Sequence, residues 1–231
     1  MVRRASLGRT RPYHSPKRRN QARQTRRAIL AAAADQFRTV GYAGATMGAI
    51  AAAAGVSVPT VELAFGTKAD LLKVAIDVAI AGDDEPVPVL ERPWAAHARA
   101  ARTTNAFLAA VAEVLAEAAQ RSDALVLVAF EAARSDERLT GLAAQLKAQR
   151  SVTAAWIVDG LAARARLRPD VDRAHAIDVI WLLMDPAVFD RLTTDRGWSP
   201  ERFAAWFADS ASRLLAGYTD DKEGTATPFV T

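Results

Sequence analysis

Apolar positions recur with a helical period along most of this chain, and the alternation that marks a strand is nowhere sustained. From Arg18 to Val40, Ile29, Ala33, Phe37 and Val40 fall at spacings of four, four and three, on a helix whose first half is Arg-rich. Gly41 suits its C-terminal end. Thr46 can cap a second helix, and the chain then reads TMGAIAAAAGVSVPTVELAF to Phe65. In this stretch Ile50, Ala54, Val56, Val61 and Ala64 are apolar, Ala51 is small, and Gly55 sits where two short helices must turn sharply. Ser57 supplies an oxygen to cap the second of them. Thr67-Lys68-Ala69-Asp70 is a capping box that opens a further helix through Leu71, Leu72, Ala75, Val78 and Ala79 to Gly82.

The segment GDDEPVPVLERP, from Gly82 to Pro93, holds too many prolines to be continuous helix, and a domain boundary is expected there. Beyond it, Trp94 to Gln120 carries one apolar face with Phe107, Val111, Val114, Leu115 and Ala118. Leu125 to Phe130 (LVLVAF) is apolar on every side, and with no partner strand in the pattern it reads as a helix at the centre of a bundle. A long helix from Asp136 to Arg166 shows Leu139, Leu142, Leu146, Trp156 and Leu161, interrupted by Gln149 and Thr153. From Val171 to Met184 a face of Ala174, Ile177, Trp181 and Met184 continues to Val188, with Pro186 breaking the helix. Ser199 and Pro200 then start the last helix, which carries Phe203, Trp206, Phe207 and Leu214. The expected fold class is all-α: a helix-turn-helix head over 18–82 and a helical bundle over 94–217, with a disordered basic arm over 1–17 and a disordered tail over 218–231.

Charge changes this picture at one end. Ten basic residues and no acid precede Asp35, which leaves 20 bases against 26 acids in the remainder. Such a block is often a solvated tail, or a nuclear or transit signal. Beside a helix-turn-helix it reads more simply as an arm that seeks phosphates or the minor groove. The absence of Cys removes disulfides and thiolate sites, which suits a cytoplasmic location. No apolar run approaches the roughly 18 residues of a membrane span, so no membrane partner is expected. His14, His97 and His175 are the only histidines, and no catalytic set, metal spacing or Gly-rich phosphate loop stands out. Neither enzyme activity nor a cofactor nor a metal is expected.

Two further features admit two readings each. Gln149 and Thr153 either rotate to solvent or line a cavity; in the second case Phe107, Val111, Phe130, Trp156 and Trp181 complete a mostly apolar site for a small molecule. Phe203, Trp206, Phe207 and Leu214 either pack on the preceding helix or form a subunit interface.

The basic first helix, the stretch TMGAIAAAAGVSVPTVELAF and the following GTKADLL together resemble the DNA-binding head of the tetracycline-repressor (TetR) family over about residues 19 to 80. The unit Phe65-Gly66-Thr67-Lys68 carries most of the specificity of that likeness. Downstream the resemblance rests on length, helicity and GWSPERF, which is similar to some actinobacterial members. It implies a homodimeric repressor bound to a near-palindromic operator in double-stranded DNA and released by a small apolar effector. DNA-backbone contacts would fall on Thr46, Ser57, Thr60 and Lys68, base-facing contacts on Val58, Pro59 and Leu63, and further contacts on Arg18, Arg19 and Arg23. The chain departs from the family where Val58 and Pro59 replace basic or small residues, and where Glu62, Leu63 and Ala64 replace a stretch with two aromatics and a His. Glu62 would repel phosphate unless it accepts from a cytosine amino group. The arm is therefore expected to supply part of the affinity, and apolar contacts to thymine methyls part of the readout. A non-specific, nucleoid-type DNA-bridging protein that binds through the arm is the other class.

Overall fold

The computed structural model describes residues 16–217, which form ten α-helices. The tail expected over 218–231, His14 and nearly all of the basic arm lie outside the described residues.

The first helix, α1 (Pro16–Gly44), is broken by non-helical backbone at Gly41. Two short helices follow, α2 (Met47–Ala53) and α3 (Val58–Phe65), then α4 (Lys68–Ala81). Each of these three starts on a side-chain cap. The Thr46 hydroxyl accepts from the Ala49 amide at 3.1 Å and the Ser57 hydroxyl from the Thr60 amide at 3.4 Å, while Thr67 and Asp70 cap each other reciprocally. Between α2 and α3, Gly55 has φ of 67°, a conformation that side chains resist. Of the apolar set expected to hold the two helices together, Ile50 and Val61 are fully buried but Ala64 is exposed. Phe65, four residues after Val61, takes the inward position instead.

The segment 83–92 is folded onto itself. Arg92 donates to both carboxylate oxygens of Asp83, at 2.7 and 2.9 Å, across a 3₁₀ turn at Val89–Glu91. Next come α5 (Pro93–Ala100) and α6 (Thr104–Ala132), where the sequence suggested one helix and then a separate apolar piece. Thr103 accounts for the break, since its hydroxyl caps α6 by accepting from the Ala106 amide. A 3₁₀ turn at Glu137–Leu139 leads into α7 (Thr140–Ala162). Then follow α8 (Arg173–Leu183), α9 (Pro186–Asp190) with a π turn at Arg191–Asp195, and α10 (Pro200–Leu215). Among the described residues the only β pairing is an isolated bridge between Leu167 and Ala216. No single helix there is long and apolar enough to cross a membrane.

Two cores exist, and α6 belongs to both. Its first half contributes Phe107, Leu108, Val111 and Ala112 to a core with α7, α8 and α10. Its second half contributes Leu125, Val126 and Ala129 to the core of the head, beside Ile29, Phe37, Leu71 and Ile76. The LVLVAF stretch is apolar on all sides because it is wedged between the head and the bundle. At 29 residues α6 is about 43 Å long, long enough to join the two bodies rigidly. Buried residues of α8 are Ala176, Ile180 and Leu183, whereas Ala174 is exposed and Ile177 and Trp181 are half-buried. The sequence stripe named the other side of a helix that is apolar around most of its circumference.

Candidate nucleic-acid interface and ligand cavity

Burial of Val61 and Phe65 fixes which way α3 faces. Pro59, Thr60, Glu62 and Leu63 are turned to solvent, Leu63 at 92% exposure, and Val58 is half-buried. Ser57 and Thr60 share a hydroxyl hydrogen bond of 2.8 Å at the start of the helix. Thr46 is exposed at the start of α2, and Arg18, Arg19 and Arg23 are exposed on α1, with Arg23 donating to Asn20 at 2.6 Å. This surface is a capped helix carrying polar, charged and apolar groups outward, of the kind that enters a major groove.

Lys68 has a different surrounding from the one expected of a phosphate contact. Its Nζ donates to the carbonyls of Tyr42 and Ala45, at 2.7 and 2.9 Å, and lies 4.2 Å from the centre of the Tyr42 ring. Burial lowers the pKa of this ammonium. Of three ammonium donors two are taken, so Lys68 primarily ties α4 to the turn ahead of α2. Arg26, one of the ten bases before Asp35, is similarly engaged. Its guanidinium sits 4.5 Å over the Phe65 ring and pairs with the Asp84 carboxylate.

Behind the head lies a cavity of about 1200 Å³, walled by α4, the folded segment 83–92, α6 and α7. Phe130, Gln149 and Thr153 line it, with Val74, Val78, Leu115 and Met184 among the apolar residues. Phe107 and Val111 do not line it, being fully buried further along α6. There Phe107 fills the space over Gly160, where an added Cβ would meet its ring at 2.2 Å. Trp156 also falls outside the lining, because Trp94 packs edge-on against it at 5.5 Å and closes that end. Trp181 is covered by Arg150, whose guanidinium carbon lies 3.7 Å from the ring centre.

Two charged residues of this cavity were missed by the sequence reading. Arg150 is buried, its Nη2 donates to Asp185 at 2.8 Å, and its Nε has no hydrogen-bond partner. Asp123 is in the wall on α6, and burial pushes its carboxyl up to about 7, against a weak 3.4 Å hydrogen bond from Ser122. The available signal was phase: Arg150 continues the Leu142, Leu146 stripe and Asp123 precedes Val126 by three residues.

The supposed interface residues on α10 divide. Phe203 and Phe207 are 2% and 0% exposed in the chain's own core and are not available to a second subunit. Trp206 is half-buried against Trp198 and Phe203, and Leu214 stays 47% exposed. Leu182 on α8, which packs on α10, is 59% exposed.

Residues 29–75 match the family described as bacterial regulatory proteins, tetR family. Among curated proteins none gives a significant sequence match. The fold is similar to that of FadR, a transcriptional regulator from Bacillus subtilis solved with stearoyl-CoA (TM-score 0.65, 18% identity, 82% of this chain and 98% of that one). It is similar also to NalD, the secondary repressor of the MexAB-OprM multidrug efflux pump in Pseudomonas aeruginosa (TM-score 0.58, 21% identity, 88% and 100%). A Rhodococcus sp. chain described as a TetR-family transcriptional regulator gives a TM-score of 0.61 at 17% identity, over 84% and 100%. With its capped helix-turn-helix and its helical bundle, the chain is an all-α molecule whose residues 29–75 match the tetR family of bacterial regulatory proteins and whose fold is that of the solved regulators.

Proposed function

We propose that the protein is a sequence-specific transcriptional regulator, a homodimeric repressor that a small molecule releases from a near-palindromic operator. The observation that carries this reading is the outward face of α3, where Leu63 is 92% exposed beside Pro59, Thr60 and Glu62 on a helix held rigidly from behind. A large apolar side chain so placed suits contact with thymine methyl groups. Thr46, Ser57, Thr60, Arg18, Arg19 and Arg23 take the phosphates, and residues 1–17 add to them.

Release requires that the ligand touch something the head depends on. Val74, Asp77 and Val78 of α4 form part of the cavity wall, and α4 follows α3 directly. Arg121 of α6 donates to the carbonyls of Ala79 and Ile80 at the end of α4, at 3.0 and 3.4 Å. A molecule that spreads α4 from α6 would thus turn the head. Leu182 and Leu214 supply the apolar surface for a twofold partner, and such a dimer would set its recognition helices about 34 Å apart. NalD is a repressor and FadR was solved with a bound acyl-CoA, which supports both parts of the reading. The role is one of binding, without catalysis, in the cytoplasm.

Selection of bound fragments from genomic DNA tests this. Recovered fragments are expected to share a near-palindrome with half-sites about one helical turn apart. Fragments with no common sequence would favour a nucleoid-type protein.

A further inference from the structure

The cavity has a definite charge, and it is not the one its single buried cation suggests. Arginine side chains in its wall are already paired: Arg26 with Asp84, Arg92 with Asp83, Arg121 with Glu117 and Arg150 with Asp185. Among the described residues, Asp123 has only the long hydrogen bond from Ser122, and no cation there lies within salt-bridge distance of it; Arg150 is paired with Asp185 instead. Glu85 and Glu91, both exposed, add two more carboxylates to the wall, and Glu85 acts with Asp83 on Arg92. An apolar enclosure with unmatched negative charge opposes an anion and accepts a cation.

We propose that the cavity binds an apolar molecule carrying one positive charge, a protonated or quaternary amine, with the charged nitrogen against the Asp123 carboxylate and an uncharged acceptor oxygen free to take Nε of Arg150. This rests on the effector-site reading above and names the ligand class. Arg150 cannot itself be the anchor of a carboxylate ligand without giving up Asp185, because its Nη2 is committed there and one face of its guanidinium is covered by Trp181. Its buried, unpartnered Nε asks for one acceptor, and a hydroxyl, ether or carbonyl on the ligand suffices. The charged groups facing Asp123 from neighbouring elements are Arg150 on α7, Asp185 at the N-cap of α9 and Asp190 at its end; Arg150 and Asp185 pair with each other, so Asp190 is the carboxylate that adds to the preference.

Three probes of equal chain length separate the possibilities: octylammonium, octanoate and octanol, titrated calorimetrically into the full-length protein without DNA. Wild type should bind octylammonium at least about tenfold tighter than the other two at pH 8, a difference of about 1.4 kcal/mol. Asp123→Asn should lose that preference. Octylammonium affinity should also fall as pH drops from 8 to 6, by up to roughly tenfold per unit once the carboxyl takes up its proton, a measurement that needs no variant. Leu115→Trp, which fills the cavity, should weaken every probe. Tighter binding of octanoate, or equal octylammonium binding by wild type and Asp123→Asn, overturns the charge assignment. If in that case Leu115→Trp still abolishes binding, the cavity remains the effector site and only the ligand class fails. Binding of none of the probes overturns the proposal and the site together.

Discussion

Arg26 lies over the ring of Phe65, 4.5 Å from its centre, while the same guanidinium pairs with Asp84. One side chain on α1 therefore touches the last residue of α3 and a residue of the cavity wall. Arg26→Ala removes a cation–π contact and a half-exposed ion pair, each worth about 0.5–1 kcal/mol. Denaturant unfolding should show a loss of about 1–2 kcal/mol. No change would mean that the contact contributes nothing to holding α3.

Gly160 is the point at which α7 makes room for α6. Gly160→Ala gains up to about 1 kcal/mol of helix propensity, yet the new Cβ would sit 2.2 Å from the buried Phe107 ring. Overpacking should win, with a net loss of about 1–3 kcal/mol. Phe107→Leu in the same chain should recover part of it. A single Ala variant as stable as wild type would contradict the packing.

Asp123 links stability to pH with a definite sign. Its folded carboxyl titrates at about 7 against an ordinary value of 3.8, so between those values the folded state holds a proton the unfolded state has lost. Stability from this group is complete below the unfolded value and is lost as pH rises to about 7. Asp123→Asn should consequently be more stable than wild type at pH 8, by roughly 2–3 kcal/mol, less than the full shift since the residue keeps some contact with water. At pH 4 the two should unfold alike. A constant difference across urea titrations at both pH values would refute the assignment.

Leu182 and Leu214 carry the proposed subunit contact. Leu182→Glu and Leu214→Glu should give folded chains that sediment as monomers, whereas Phe207→Glu should not fold, since a charge without a partner in that core costs several kcal/mol. A monomeric wild type at micromolar concentration would contradict the dimer.

What the sequence made legible follows from how local the cause is. Caps at Thr46, Ser57 and Thr67 and the turn at Gly55 depend on residues within one helical turn, and each stands where it was expected. Phe203 and Phe207 show the opposite case. Their period gives an apolar stripe but not its partner, and the partner is the chain's own α6, α8 and α9. LVLVAF carried a helical expectation but no hint that it would fill the back of the head. Arg150 and Asp123 escaped notice because a charge on an apolar stripe gains its meaning from residues far off in sequence, here Asp185 and Trp181.

The central claim is that α3 reads a particular DNA sequence through its exposed face. Fluorescence anisotropy with a duplex from the genomic selection, against a scrambled duplex of equal length at about 150 mM salt, tests it directly. Wild type should prefer the selected duplex by about 10³-fold or more, and Leu63→Ala should erode that preference while leaving the fold and the scrambled-duplex affinity unchanged. Equal binding of both duplexes by wild type, weakening together as salt rises, would contradict it.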